Sequence, residues 1–77
     1  MKTVKETLEY IIQSITQKED NVTIEQHQEE ELSIIEIIAP KEIIGRIIGK
    51  EGKIIKSIRT ILNLSFPQEK FIVKIRE

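Results

Sequence analysis

At 77 residues, with 32% charged and 39% hydrophobic side chains, the chain has material for one folded domain and no second. The formal charge of −1 excludes a uniformly basic or acidic protein, and the absence of cysteine excludes disulfides and thiolate metal sites. No apolar run approaches the roughly 18 residues of a membrane helix, and Lys5, Glu6 and Glu9 break up a start that does not read as a secretory signal; the cytoplasm is the expected compartment.

Val4, Leu8, Ile11, Ile12 and Ile15 recur at helical spacing and predict an amphipathic helix over residues 2–17. Lys18 to Asn21 form a polar break. Val22 and Ile24 alternate with polar residues and predict a strand to about Gln28, and Glu29, Glu30 and Glu31 make a charged hairpin turn. A second strand is expected from Leu32 to Ala39. Its phase conflicts, because Leu32 and Ile34 share one face while Ile35, Ile37 and Ala39 share the other. Ile35 and Ile37 are placed inside so that Glu36 faces water, which leaves Ile34 and Ile38 partly exposed or requires a bulge.

Pro40 ends the strand and can open a helix. Ile43, Ile44, Ile47 and Ile48 then mark two helical turns with Gly45 inside. An interior glycine costs about 1 kcal/mol relative to alanine, so close approach to another backbone is expected there. Ile54, Ile55, Ile58, Ile61 and Leu62 mark a longer helix over about 53–64. Phe71, Val73 and Ile75 alternate in a final strand. The order is α-β-β-α-α-β, and one sheet covered on one face by three helices buries these stripes most simply. The core rests on 18 isoleucines, against two Phe, one Tyr and no Trp. Each fully buried isoleucine contributes roughly 1.5–3 kcal/mol.

The small net charge hides an asymmetry. Residues 1–38 carry three basic and nine acidic side chains, and residues 39–77 carry nine basic and four acidic ones. Lys41, Arg46, Lys50, Lys53, Lys56 and Arg59 cluster, opposed there only by Glu42 and Glu51. Such a cluster is a solvated helix face or an anion footprint.

The Gly49-Lys50-Glu51-Gly52 turn favours the footprint. Glycines permit backbone shapes that other residues resist and leave the chain bare to a ligand. The following helix directs free N–H groups into the turn, and such termini attract phosphate. Lys50 and Lys53 stand where the helix dipole disfavours cations, a penalty that a bound anion reverses; Glu51 partly neutralises the turn. Other phosphate motifs fail. A Rossmann fingerprint needs glycine at Ile47, and a P-loop needs glycine at Ile44 and a hydroxyl at Glu51.

The Ile43–Gly52 stretch, Ile-Ile-Gly-Arg-Ile-Ile-Gly-Lys-Glu-Gly, resembles the KH domain, marked by a GxxG loop between two helices. The helix and strand before the βααβ core resemble the type II arrangement. The whole chain is similar to the small single-KH-domain RNA-binding proteins of bacteria, the KhpA family, with Lys53 and Ser57-Ile58-Arg59-Thr60 adding to the likeness. The resemblance implies an α+β fold with a three-stranded mixed sheet. It divides residues 1–77 into an αβ extension (1–28) and a βααβ core (31–77). It implies a ligand of about four nucleotides of single-stranded RNA. Gly49, Lys50, Glu51 and Gly52 would clamp phosphates. Ile44, Ile47 and Ile48, with Ile35 to Ile38 and especially Ile37 and Ile38, would border the groove for bases. Charge alone adds Lys53, Lys56 and Arg46. The family further implies an RNA chaperone or post-transcriptional regulator that homodimerises or pairs with a larger KH protein, KhpB. Its implied roles lie in the cell envelope, peptidoglycan homeostasis and cell length.

No cofactor, metal, membrane or small-molecule substrate is expected, and no enzyme. His27, the one histidine, is expected in solvent, and Glu29 to Glu31 lack metal-ligand spacing. Two other readings stay open. One is a KH-fold protein-interaction subunit, pairing through Ile34, Ile38 or Ile72. The other is a helix-turn-helix DNA binder built on residues 41–64.

Overall fold

The stripe of Val4, Leu8 and Ile12 buries one side of α1 (Val4–Ile15) in the computed structural model, which describes residues 2–77 and, for Glu19, the backbone alone. Met1 of the expected N-terminal extension lies outside the described residues. Thr3 starts the helix. Its hydroxyl accepts the Glu6 N–H at 3.1 Å, and the Glu6 carboxylate accepts the Thr3 N–H at 3.0 Å. This reciprocal cap moves the start from residue 2 to Val4. Thr16 is already extended, so the helix stops before residue 17, and Ile15, expected in the buried stripe, is exposed. Thr3→Ala is expected to cost about 1 kcal/mol and to lower the thermal midpoint by roughly 4–8 °C. An unchanged melting curve would contradict the cap.

A 3₁₀ turn over Lys18–Asp20 leads into β1 (Thr23–Glu29), which pairs antiparallel with β2 (Leu32–Ile38). Register runs unbroken from Thr23↔Ile38 to Glu29↔Leu32, so β2 contains no bulge. Ile35 and Ile37 face the helices with no exposed surface. Ile34 points to the opposite face but is only 4% exposed, against the expectation of partial exposure. The reason is its central position: His27 and Ile72 stand opposite it on the two flanking strands. Ile38, on that same face, is half-buried.

Ala39 is buried, and Pro40 stands at the N-cap of α2 (Lys41–Ile48). A second 3₁₀ turn, Lys50–Gly52, joins α2 to α3 (Lys53–Ser65), which runs to the edge strand β3 (Phe71–Arg76). β3 lies parallel to β2, which requires a crossover such as this helical pair. The sheet order is β1-β2-β3. Leu8, Ile12, Ile43, Ile47, Ile55, Ile58 and Leu62 close over Ile35, Ile37 and Val73. The helices do not cover all of β1: Gln26 and Gln28 share the sheet face of Ile35 and stay exposed.

The other face of the sheet carries ion pairs. Arg76 lies 3.6 Å from Glu25 and 3.7 Å from Glu36, and His27 lies 3.9 Å from Glu36. His27 is exposed. Glu36 is half-buried and its partners are exposed; at separations of 3.6–3.9 Å such pairs contribute little stability. Among the described residues no helix is long and apolar enough to cross a membrane, and no acidic, His or Cys cluster could hold a metal ion.

Candidate functional site

α2 buries Ile43, Ile44 and Ile47 and ends at Gly49, whose N–H donates to the Gly45 carbonyl at 2.9 Å. Gly49 has φ +76°, and a Cβ there would stand 2.6–2.9 Å from the Ile54 side chain. Backbone shape and packing both demand glycine at this position. Glu51 (φ 58°, ψ 23°) and Gly52 (φ 74°, ψ 16°) follow as two successive left-handed residues. For Glu51 that shape costs about 1–2 kcal/mol. Around Gly52 a Cβ would meet nothing, so there only φ demands glycine.

The tight turn is closed by the Gly52 N–H donating to Gly49 O at 3.1 Å and by the Lys53 N–H donating to Lys50 O. Among the described residues the Lys50 and Glu51 N–H groups have no partner in the loop and cap hydrogen bonds. No side chain caps α3 either. Free N–H groups therefore gather where the positive end of the α3 dipole emerges, an arrangement that can cradle an anion. Lys50, Lys53 and Lys56 are exposed beside it, and none forms an ion pair among the described residues.

Two members of the basic cluster are engaged elsewhere. Arg46 Nη1 lies 3.3 Å from Asp20 Oδ2, which also accepts the Gln17 N–H at 2.7 Å. That contact ties α2 to the link between α1 and β1. Arg59 Nη2 donates to the Val73 carbonyl at 2.9 Å and fastens α3 to β3.

The expected apolar border changes. Ile37 and Ile47 have no exposed surface and Ile44 is 9% exposed, so in this structure they belong to the core beneath the site. The cause is their inward direction under the helices. Ile38 lies on the far sheet face, because neighbouring strand residues alternate. Of that group only Ile48 remains at the surface near the loop, and it is half-buried. The close approach expected at Gly45 is not found: a Cβ there would meet nothing within 4 Å, so among the described residues no other element's backbone approaches it. Ile54 was not among the expected residues. It fills the space under Gly49 and remains 39% exposed. Its place in the α3 apolar pattern was visible, but its contact depends on the Gly49 conformation.

A family model described as KhpA/KhpB, KH domain, matches residues 5–76. The RNA-binding protein KhpA of Chlamydia pneumoniae is 44% identical over 59 residues, 77% of this chain and 76% of the relative. The protein of the same name from Thermotoga maritima is 35% identical over 60 residues, 78% of this chain and 80% of the relative. That from Clostridium perfringens is 35% identical over 74 residues, 94% of this chain and 99% of the relative. No solved structure matches the chain. A GxxG turn between two helices of an α-β-β-α-α-β fold agrees with the family match, and the chain belongs to the KhpA/KhpB KH-domain family.

Proposed function

We propose that this chain is a cytoplasmic, non-enzymatic RNA-binding protein that holds single-stranded RNA at the Gly49–Gly52 loop. One observation carries the reading: among the described residues, the uncapped start of α3 and the Lys50 and Glu51 N–H groups, which have no partner in the loop and cap hydrogen bonds, lie beside three lysines that form no ion pair. A phosphate satisfies those donors and the dipole together. Lys50, Lys53 and Lys56 supply charge, and Ile48 offers an apolar contact. Arg46 contributes only if it leaves Asp20. The relatives' name, RNA-binding protein KhpA, supports the ligand class. The βααβ unit of residues 31–77 carries this surface, and residues 1–28 extend its sheet and core.

Aromatic side chains are scarce, so base stacking does not dominate and sequence preference is expected to be weak. With three or four phosphate contacts, log K should fall against log[salt] with a slope of about −2 to −3. A titration with short single-stranded RNA over a salt series measures it. A salt-independent isotherm, or no binding at low salt, would overturn the reading.

The chaperone role, pairing with a second copy or with a KhpB-like protein, and action on the cell envelope and cell length belong to this reading through the family resemblance. Pairing has one physical support. Ile54, Ile61 and Leu64 form an exposed apolar line along α3, with Ile61 47% and Leu64 77% exposed. The same line favours the second reading, an interaction subunit with little RNA affinity of its own. Binding that appears only when the partner is added would favour it.

A further inference from the structure

We propose that the free edge of β1 takes an extended segment of a partner protein as a fourth strand, one that alternates apolar residues with lysine or arginine. The proposal does not rest on the RNA reading. β1 and β3 are the two edges of the sheet. On β3, Arg59 Nη2 caps the Val73 carbonyl at 2.9 Å. β1 has no such guard: among the described residues, no loop, cap or side-chain hydrogen bond reaches the backbone of Thr23–Glu29. In an antiparallel pair alternate residues turn their N–H and C=O groups away from the neighbouring strand, so β1 presents a row of unused donors and acceptors. Devices that blunt such an edge are also missing, for the seven residues of β1 include no proline, no lysine and no bulge.

Charge and shape say what the edge accepts. Thr23 to Glu31 holds four glutamates and no lysine or arginine. Pairing two copies of this chain edge to edge would set these carboxylates against each other, and like charges on facing strands are destabilising. A basic segment meets them favourably. On the helix side of the sheet Ile24 is half-buried, and Gln26 and Gln28 are uncovered. An open groove lies there between α1 and the start of β1, lined by Ile12, Val22 and Ile24 with Glu9 and Gln13 beside them. Side chains of an added strand alternate between the two faces. Those on the helix side would enter this groove and suit apolar residues. Those on the other side would stand next to Glu25 and Glu29 and suit cations.

The test titrates the whole chain, without RNA, with a short synthetic peptide alternating lysine and valine, read by amide NMR shifts and fluorescence anisotropy. The largest shifts should fall on β1 and on Gln13 and Thr16 of α1. Glu25→Lys/Glu29→Lys should bind the peptide about tenfold more weakly. Both side chains are exposed, and the one ion pair lost, Glu25 with Arg76, is exposed too, so circular dichroism should be unchanged. N-methylation of the peptide probes strand pairing with the protein unaltered. Methylating the amides of one residue type, lysine or valine, should abolish binding, while methylating the other is tolerated. No binding at low salt overturns the proposal, as do shifts away from β1, equal binding of both methylated peptides, or equal binding of an aspartate–valine peptide. A folded double variant of wild-type affinity overturns it as well. So do β1 shifts that grow with protein concentration in the absence of peptide, which would give the edge to a second copy.

Discussion

Replacing Lys50 and Glu51 together by aspartate is expected to weaken binding of short single-stranded RNA by about 100-fold while leaving the fold intact. The loss has two parts. A cation beside the phosphate site disappears, and a carboxylate takes its place against a negative ligand. Hydrogen bonds to charged groups are worth about 1.5–3 kcal/mol, and roughly 3 kcal/mol corresponds to two orders of magnitude. The fold should survive because both side chains are exposed. Aspartate also accepts the left-handed shape of residue 51 at least as well as glutamate. Affinity by fluorescence anisotropy and helicity by circular dichroism measure the two halves. A folded variant with wild-type affinity would place the RNA site elsewhere.

Ile47→Ala is expected to act on stability instead. Ile47 sits two residues before the GxxG loop, which invites a reading as a groove residue, yet it has no exposed surface. Truncation leaves a cavity among helix and sheet side chains and should cost about 2–5 kcal/mol. Small domains are stable by only about 5–15 kcal/mol, so the variant should melt far below wild type and could be partly unfolded at 37 °C. At a temperature where it remains folded, its RNA affinity should equal that of wild type. Chemical denaturation checks the first part and a low-temperature titration the second. A stable variant with reduced affinity would return Ile47 to the interface.

Apolar periodicity made most of the fold legible. The stripe of Val4, Leu8 and Ile12, the alternation of Phe71, Val73 and Ile75, and the breaks at Pro40 and Gly49 located the elements to within a residue or two. The α1 start slipped because the reciprocal cap of Thr3 and Glu6 decides it, and periodicity ignores caps. Ile34 slipped because strand alternation gives its face but not its cover, which comes from neighbours on both flanking strands. For the candidate site, the loop and its lysines were readable from spacing and charge. The apolar border was not, since Ile37 and Ile38 are adjacent in sequence and opposite in the sheet. The partners taken by Arg46 and Arg59 were also hidden. Asp20 lies 26 positions from Arg46 and the Val73 carbonyl 14 from Arg59, separations that only folding closes.

The most direct test of RNA binding at this loop is an amide-resolved NMR titration of the ¹⁵N-labelled protein with a short single-stranded RNA at low salt. The largest shifts are expected at the N–H groups of Lys50, Glu51, Gly52 and Lys53, with Ile48 next and the far sheet face around Ile34 and Ile72 unmoved. Shifts confined to that far face, or to the α3 line of Ile61 and Leu64, would contradict it.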